Sequence, residues 1–239
     1  FQKKVKAPFK ILGLDWRKIA ASITLLAAFS FSMWFFGSTD INLTATDHTQ
    51  EVTLVDQTTI RLHKNSTVIY DKGSFGKETR IVCLEGQAYF DVAKSEKQFI
   101  VRTKHGDIKV FGTEFNVFAD DDLLFVELEE GSVAYCTEEF ERKIVPGERI
   151  EVSQGTLQVN TFDQGSAWDE VISCKNVPLS YILGQLKLNF DVDYKVSKSL
   201  LIQRYTINLP KDDLALCIQI LHDVSGKNFA LIDNIITVK

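Results

Sequence analysis

Proline and glycine are scarce in this sequence, at 4 and 13 of 239 residues. That excludes collagen-like chains and proline-rich linkers. The glycine-rich phosphate loop and the dinucleotide fingerprint are both missing. So are the nucleophile-elbow serine and the zinc-protease helix motif. The four histidines, His48, His63, His105 and His222, have no metal-ligand spacing and read as isolated surface residues. Cys83, Cys136, Cys174 and Cys217 lie in apolar strand or helix patterns, with no two close in sequence. Buried thiols are therefore expected, and the spacing supports no particular pairing. The acidic run Asp120-Asp121-Asp122, followed by Glu127, Glu129 and Glu130, lacks the ligand spacing and sharp-bend glycine of a calcium loop. It reads as a solvated hairpin turn. No cofactor, no metal and no enzyme active site are expected.

Charge is unevenly placed. Residues 1–18 carry +5, from Lys3, Lys4, Lys6, Lys10, Arg17 and Lys18 against Asp15, and the remainder carries −10. So acidic a body is a poor nucleic-acid binder, because phosphate binding needs clustered Lys and Arg. The next stretch, residues 19–36 (IAASITLLAAFSFSMWFF), contains no charge. As a helix it would reach about 27 Å, close to the thickness of a hydrocarbon core. Trp16 and Trp34 stand near its two ends, where indoles favour the interface. Large aromatics close the run, so a retained anchor fits better than a cleaved signal peptide. No Lys or Arg follows until Arg61. The positive-inside rule then predicts a single-pass inner-membrane protein with a cytoplasmic basic tail (1–18), a transmembrane helix (19–37) and its bulk in the periplasm. The chain begins with Phe1, so upstream sequence is expected.

From residue 41 to residue 162 the pattern is strand and turn. β-branched and aromatic residues alternate with polar ones in segments such as 80–92 (RIVCLEGQAYFDV) and 123–135 (LLFVELEEGSVAY). Turn residues separate them at Val55-Asp56-Gln57, Glu85-Gly86, Glu130-Gly131 and Pro146-Gly147. The expectation is a mainly β domain, and periodicity does not choose between a solenoid-like form and a sandwich. Residues 166–239 change character. Residues 177–190 and 211–225 have helical spacing of apolar positions, with Pro178 at a helix start and Gly226 at a helix stop. Strand patterns lie between and after them. A separate small α+β domain is expected there, resting on its neighbour because of its size.

Several segments together resemble the ferric-citrate regulator (FecR) family of membrane anti-sigma factors, in the form common in Bacteroidetes. Residues 52–62 (VTLVDQTTIRL) resemble the opening strand pair of that family, and residues 80–92 its central signature. Residues 98–101 (QFIV), 110–117 (VFGTEFNV), 130–133 (EGSV) and 145–148 (VPGE) follow in the family's order. Trp168 and residues 176–179 (NVPL) fit the start of its C-terminal domain. Gln57-Thr58 departs from the usual Gly-Ser turn, and Cys83 occupies an apolar strand position.

The resemblance implies an anti-sigma regulator. The signalling domain of a TonB-dependent outer-membrane transporter would be received by the C-terminal part, which is similar to the secretin/TonB short N-terminal fold. The response would reach a cytoplasmic extracytoplasmic-function sigma factor through an N-terminal domain that the family places before the span. Some family members cleave themselves at a Gly-Thr bond, and the matching bond is Gly112–Thr113. A small open sheet also presents unpaired edge groups, so an incoming domain could add a strand at residues 203–209 or 235–238. The rival readings are a membrane-anchored periplasmic glycan-binding protein and an envelope scaffold. The first needs an exposed aromatic platform, whereas Phe90, Phe99, Phe115 and Phe125 alternate inward.

Overall fold

A computed structural model describes Ile23, residues 40–153, residues 155–162 and residues 171–238. The first strands are β1 (Asp40–Ala45), β2 (Gln50–Thr53), β3 (Thr59–Leu62), β4 (Ser66–Asp71), β5 (Arg80–Asp91) and β6 (Phe99–Thr103). They are followed by β7 (Gly106–Val110), β8 (Glu114–Ala119), β9 (Leu123–Glu130), β10 (Val133–Cys136), β11 (Glu141–Ile144), β12 (Glu148–Ser153) and β13 (Thr156–Thr161). Alternation of apolar and polar residues along these segments gives each strand one face for a core.

Two sheets result, and β5 belongs to both. Its first half pairs with β4 and β6, in a sheet ordered β1-β4-β5-β6-β7-β10-β11. Its second half pairs with β3 and β8, in a sheet ordered β2-β3-β5-β8-β9-β12-β13. The change of sheet comes at Gly86, whose φ of +93° lies in the region that favours glycine. A Cβ there would also meet Ser66, 2.9 Å from its Cα. The inward positions of both sheets, including Val82, Leu84, Phe90, Phe115, Val117, Leu124 and Val126, form one core between them. This is a sandwich whose corner is turned within a single strand.

The second sheet is covered on its outer face as well. After it come β14 (Val171–Pro178), α1 (Leu179–Phe190), β15 (Asp193–Lys195), the single turn α2 (Lys198–Leu201), β16 (Arg204–Pro210), α3 (Leu214–Ser225), β17 (Phe229–Ile232) and β18 (Ile235–Val238). β14 pairs with β16, and β18 lies between β15 and β17. Asp213 caps α3 by accepting from the Leu216 amide at 2.9 Å, and Gly226 ends it with φ +64°. Asp233 and Asn234 make the β17–β18 turn at φ 51° and 63°. Phe118, Leu123 and Phe125 point outward from the sandwich and share a second core with Ile182, Leu186 and Leu209. Helix α1 approaches closely because position 184 is glycine: a Cβ there would lie 2.4 Å from Phe118 Cζ.

Two expectations are corrected. The first is the single-pass inner-membrane protein with a periplasmic bulk. Among the described residues no helix is long and apolar enough to cross a membrane. The longest, α1 and α3, have 12 residues each. They reach about 18 Å, well short of a hydrocarbon core of about 30 Å. The apolar run 19–37 and the basic tail 1–18 on which that reading rested lie outside the described residues, Ile23 excepted. The second correction concerns the fold class, a transmembrane helix followed by a β domain and then a separate α+β domain. Residues 40–239 form one compact unit, mainly β. The reason is the second core, which the outer face of the sandwich and the C-terminal elements build jointly.

Smaller differences have local causes. His63 is buried, with Nδ1 3.1 Å from the Lys64 carbonyl, and burial lowers its pKa. Cys83 is exposed because its neighbours Val82 and Leu84 take the inward positions of β5. The other three cysteines are buried free thiols. Gln57 has φ 69°, the backbone state for which glycine is the natural residue.

Candidate functional site

The Gly112–Thr113 bond lies in the short link between β7 and β8, which carries the chain from one sheet to the other. Two backbone bonds hold it: the Val92 amide donates to the Thr113 carbonyl at 3.1 Å, and the Ser95 amide to the Phe111 carbonyl at 2.9 Å. Thr113 is 4% exposed, and its hydroxyl donates to the Ser132 carbonyl at 3.1 Å. Among the described residues no carboxylate, imidazole or amine bonds that hydroxyl. Two glycines allow the packing. A Cβ on Gly112 would lie 2.8 Å from Lys94 Cα, and one on Gly131 would lie 2.8 Å from Thr113 Oγ1 and 2.9 Å from the Gly112 oxygen. Gly131 has φ +95°, whereas Gly112 is not in the left-handed region. Glycine at 112 therefore answers a close approach of backbone and not a strained dihedral. The bond sits beside a cavity of 470 Å³ that reaches Gln98, Lys109 and Ser132.

A second constellation has no signature in the sequence. A chain of polar side chains runs across the outer face of the second sheet into the C-terminal elements. Gln185 of α1 donates to Gln87 Oε1 at 3.0 Å. Gln87 donates to Asn116 Oδ1 at 3.2 Å, and Asn116 to Glu127 Oε2 at 3.2 Å. Arg149 Nη1 is 3.5 Å from Glu127 Oε1, and Arg149 Nε donates to Glu151 Oε1 at 2.8 Å. Arg204 of β16 closes the chain on Glu151, at 2.7 and 2.9 Å. Arg149 also donates to the carbonyls of Lys175 and Asn176 in β14, at 3.4 and 3.2 Å. Its guanidinium stands over the Phe125 ring, 5.1 Å from the centroid.

The environment moves these groups in opposite directions. Burial pushes the Glu127 carboxyl up, against the Asn116 and Arg149 contacts. Burial acts the same way on Glu151, but the Arg204 hydrogen bonds and the Arg149 charge outweigh it and hold that carboxyl down. Burial also pushes the neighbouring Cys174 thiol up to about 12 and raises the Tyr181 hydroxyl. Such a network is stable only when every member is satisfied. Here it joins the sandwich to β14, α1 and β16 along one seam.

The strands named for strand addition fare differently. Residues 235–238 form β18, which is paired on both sides and offers no edge. Residues 204–210 form β16, paired with β14 along one side. β17 is paired with β18 alone among the described residues, and it exposes Leu231 (43%) and Ile232 (45%). Phe90, Phe99, Phe115 and Phe125 are all buried, so they make no glycan platform. Trp168 lies outside the described residues.

No curated protein matches the chain. Two solved structures share its fold, both described as a putative anti-sigma factor from Parabacteroides distasonis ATCC 8503, one at 1.65 Å and one at 2.50 Å resolution. Each is 24% identical, with 83% of this chain and 98% of the other covered, at TM-scores of 0.72 and 0.71. Residues 40–134 match the family model described as FecR protein. That stretch takes in strand β5 and both sides of the Gly112–Thr113 link, and over it the chain is similar to the FecR family.

Proposed function

We propose that this protein is an anti-sigma regulator: it controls a sigma factor, and its C-terminal elements receive the signalling domain of a TonB-dependent transporter. Similarity to the FecR family over residues 40–134 supports the first part, as does a fold shared with two structures described as a putative anti-sigma factor. The observation that carries the second part is the seam. A ligand that disturbs β14, α1 or β16 acts directly on Gln185, Asn176 and Arg204, and through them on Arg149 and Glu127 inside the sandwich. The incoming domain would add a strand to the open edge of β17 or β16, where main-chain groups give affinity and Leu231 and Ile232 give contact area.

Two measurements test this. A reporter driven by the partner sigma factor should change at least tenfold when the full protein is coexpressed, and an unchanged reporter overturns the regulator reading. Hydrogen exchange with a transporter signalling domain bound should slow at Phe229–Ile232 or Arg204–Pro210. Protection confined to residues 40–162 would overturn the docking reading.

The same reading includes self-cleavage at Gly112–Thr113. Thr113 Oγ1 attacks the Gly112 carbonyl carbon, the hydroxyl proton passes to the Thr113 nitrogen, and the C–N bond breaks. An ester joins Gly112 to Oγ1 and leaves a free amine on Thr113. Water then opens the ester to a Gly112 carboxylate and restores the hydroxyl. The Ser132 carbonyl orients the hydroxyl but cannot take its proton, so solvent must carry it. Denaturing electrophoresis of the purified protein should show two fragments, and Thr113→Ala should show one full-length band. A single band for both would end this part of the proposal. The fragments stay together until denatured, because β7 is held by β6 and β10 and β8 by β5 and β9.

A further inference from the structure

A cavity of 650 Å³ opens between the start of α1, the β15–α2 connection and the turn after β8. That volume is in the range of small-molecule sites. Three observations give it a chemical preference. Ser180 is 2% exposed and lines the cavity, and its Oγ has no hydrogen-bond partner among the described residues. A buried hydroxyl without a partner is costly, so it marks a place where something else completes the bond.

The second observation is the helix end itself. α1 starts behind Pro178, with no side-chain cap and no acidic residue in its first turn. The Leu179 amide is answered by the Gln203 carbonyl at 2.8 Å. The helix offers no acceptor to the next two amides, those of Ser180 and Tyr181, and its dipole favours negative charge at this end. The third observation is the balance of charge around the wall. Lys195 and Lys198 line the cavity and form no ion pair among the described residues. Asp121 and Asp122 line it as well. Asp121 is paired with Lys104. His105 is occupied by the Asp120 carbonyl at 2.8 Å. Two lysines thus share this wall with two carboxylates, one of which is already paired with a lysine outside the cavity.

We infer that this cavity binds a small anionic metabolite, its phosphate or carboxylate group held by the Ser180 hydroxyl, the free amides at the start of α1, and Lys195 and Lys198. Such a ligand bridges α1 and the β15–α2 connection. It would therefore act on the element that carries Gln185, the first link of the buried polar chain. Phosphate and carboxylate share the chemistry that the site recognises, and titration separates them.

The test follows the amide resonances of the full chain while inorganic phosphate, or in a parallel arm acetate, is added at constant ionic strength set with chloride. Saturable shifts at Ser180 and Tyr181 are expected with at least one of the two anions, and the stronger binder names the group. Lys195→Ala with Lys198→Ala should weaken that binding about tenfold. These side chains are exposed, so the fold should survive their loss. Ser180→Ala should weaken it about threefold or more, with thermal stability unchanged or raised because a buried orphan hydroxyl has gone. The inference is overturned by shifts that stay linear in anion concentration for both anions, or by binding that the lysine variant leaves unaltered.

Discussion

Arg149→Met should lower unfolding stability by about 3–5 kcal/mol in urea titrations. The guanidinium is nearly inaccessible and has four partners at once: Glu127, Glu151 and the carbonyls of Lys175 and Asn176. Its removal leaves the Glu127 carboxyl buried with no cationic neighbour, and the desolvation of an unpaired charge is the dominant cost. Glu151 suffers less because Arg204 still reaches it by two hydrogen bonds. The asymmetry gives a second arm to the experiment. Adding Glu127→Gln to Arg149→Met should recover part of the loss, since a neutral amide needs no counter-charge. A single variant within about 1 kcal/mol of the parent would show that the seam is ornamental, because that is the scale of a surface pair.

Gly184→Val should cost about 2–3 kcal/mol, even though valine is a better helix residue than glycine. The propensity gain is a few tenths of a kcal/mol, whereas the new methyls have nowhere to go. A Cβ at 184 would meet Phe118 Cζ at 2.4 Å. Phe118 cannot swing aside, being 1% exposed and packed edge-on against Tyr181 at 5.3 Å between ring centroids. The helix must then lift from the sheet. Shortening the obstacle tests the mechanism. Phe118→Leu is destabilising by itself, yet combined with Gly184→Val the total should fall short of the sum of the two. Strict additivity would mean that the cost of valine has another origin. Both variants are measured by the same urea unfolding, and a Gly184→Val protein as stable as its parent would remove the clash from consideration.

Much of this architecture is written locally. The strands around Gly131 and the Asp233-Asn234 turn can be read from alternation and turn chemistry, and the helices from their apolar spacing between Pro178 and Gly226, whereas Glu85-Gly86 reads as a turn yet lies inside the unbroken strand β5. Leu123-Leu124-Phe125-Val126, placed above among the alternating strands, is covered on both faces, as its unbroken apolar run allows. What covers the outer face is not legible, since α1 lies more than fifty residues away in sequence. Hence elements that read as a domain of their own share a second core with Phe118, Leu123 and Phe125 of the sandwich. The polar seam was hidden for the same reason. Gln87, Asn116, Glu127 and Arg149 occupy outward positions of their strands, where water is the default neighbour, and only long-range packing turns them inward to one another. The candidate bond at Gly112–Thr113 came from resemblance. Its surroundings, with Gly131 laid over the threonine and Ser132 holding its hydroxyl, come from a turn that closes between β9 and β10.

β5 contributes 12 residues to two layers at once. A backbone shared in this way has no hinge line between the layers: peeling one of them exposes the ladder of the other. The two halves of the sandwich should consequently melt as a single thermodynamic body, and a tug at either end of that strand is felt in both.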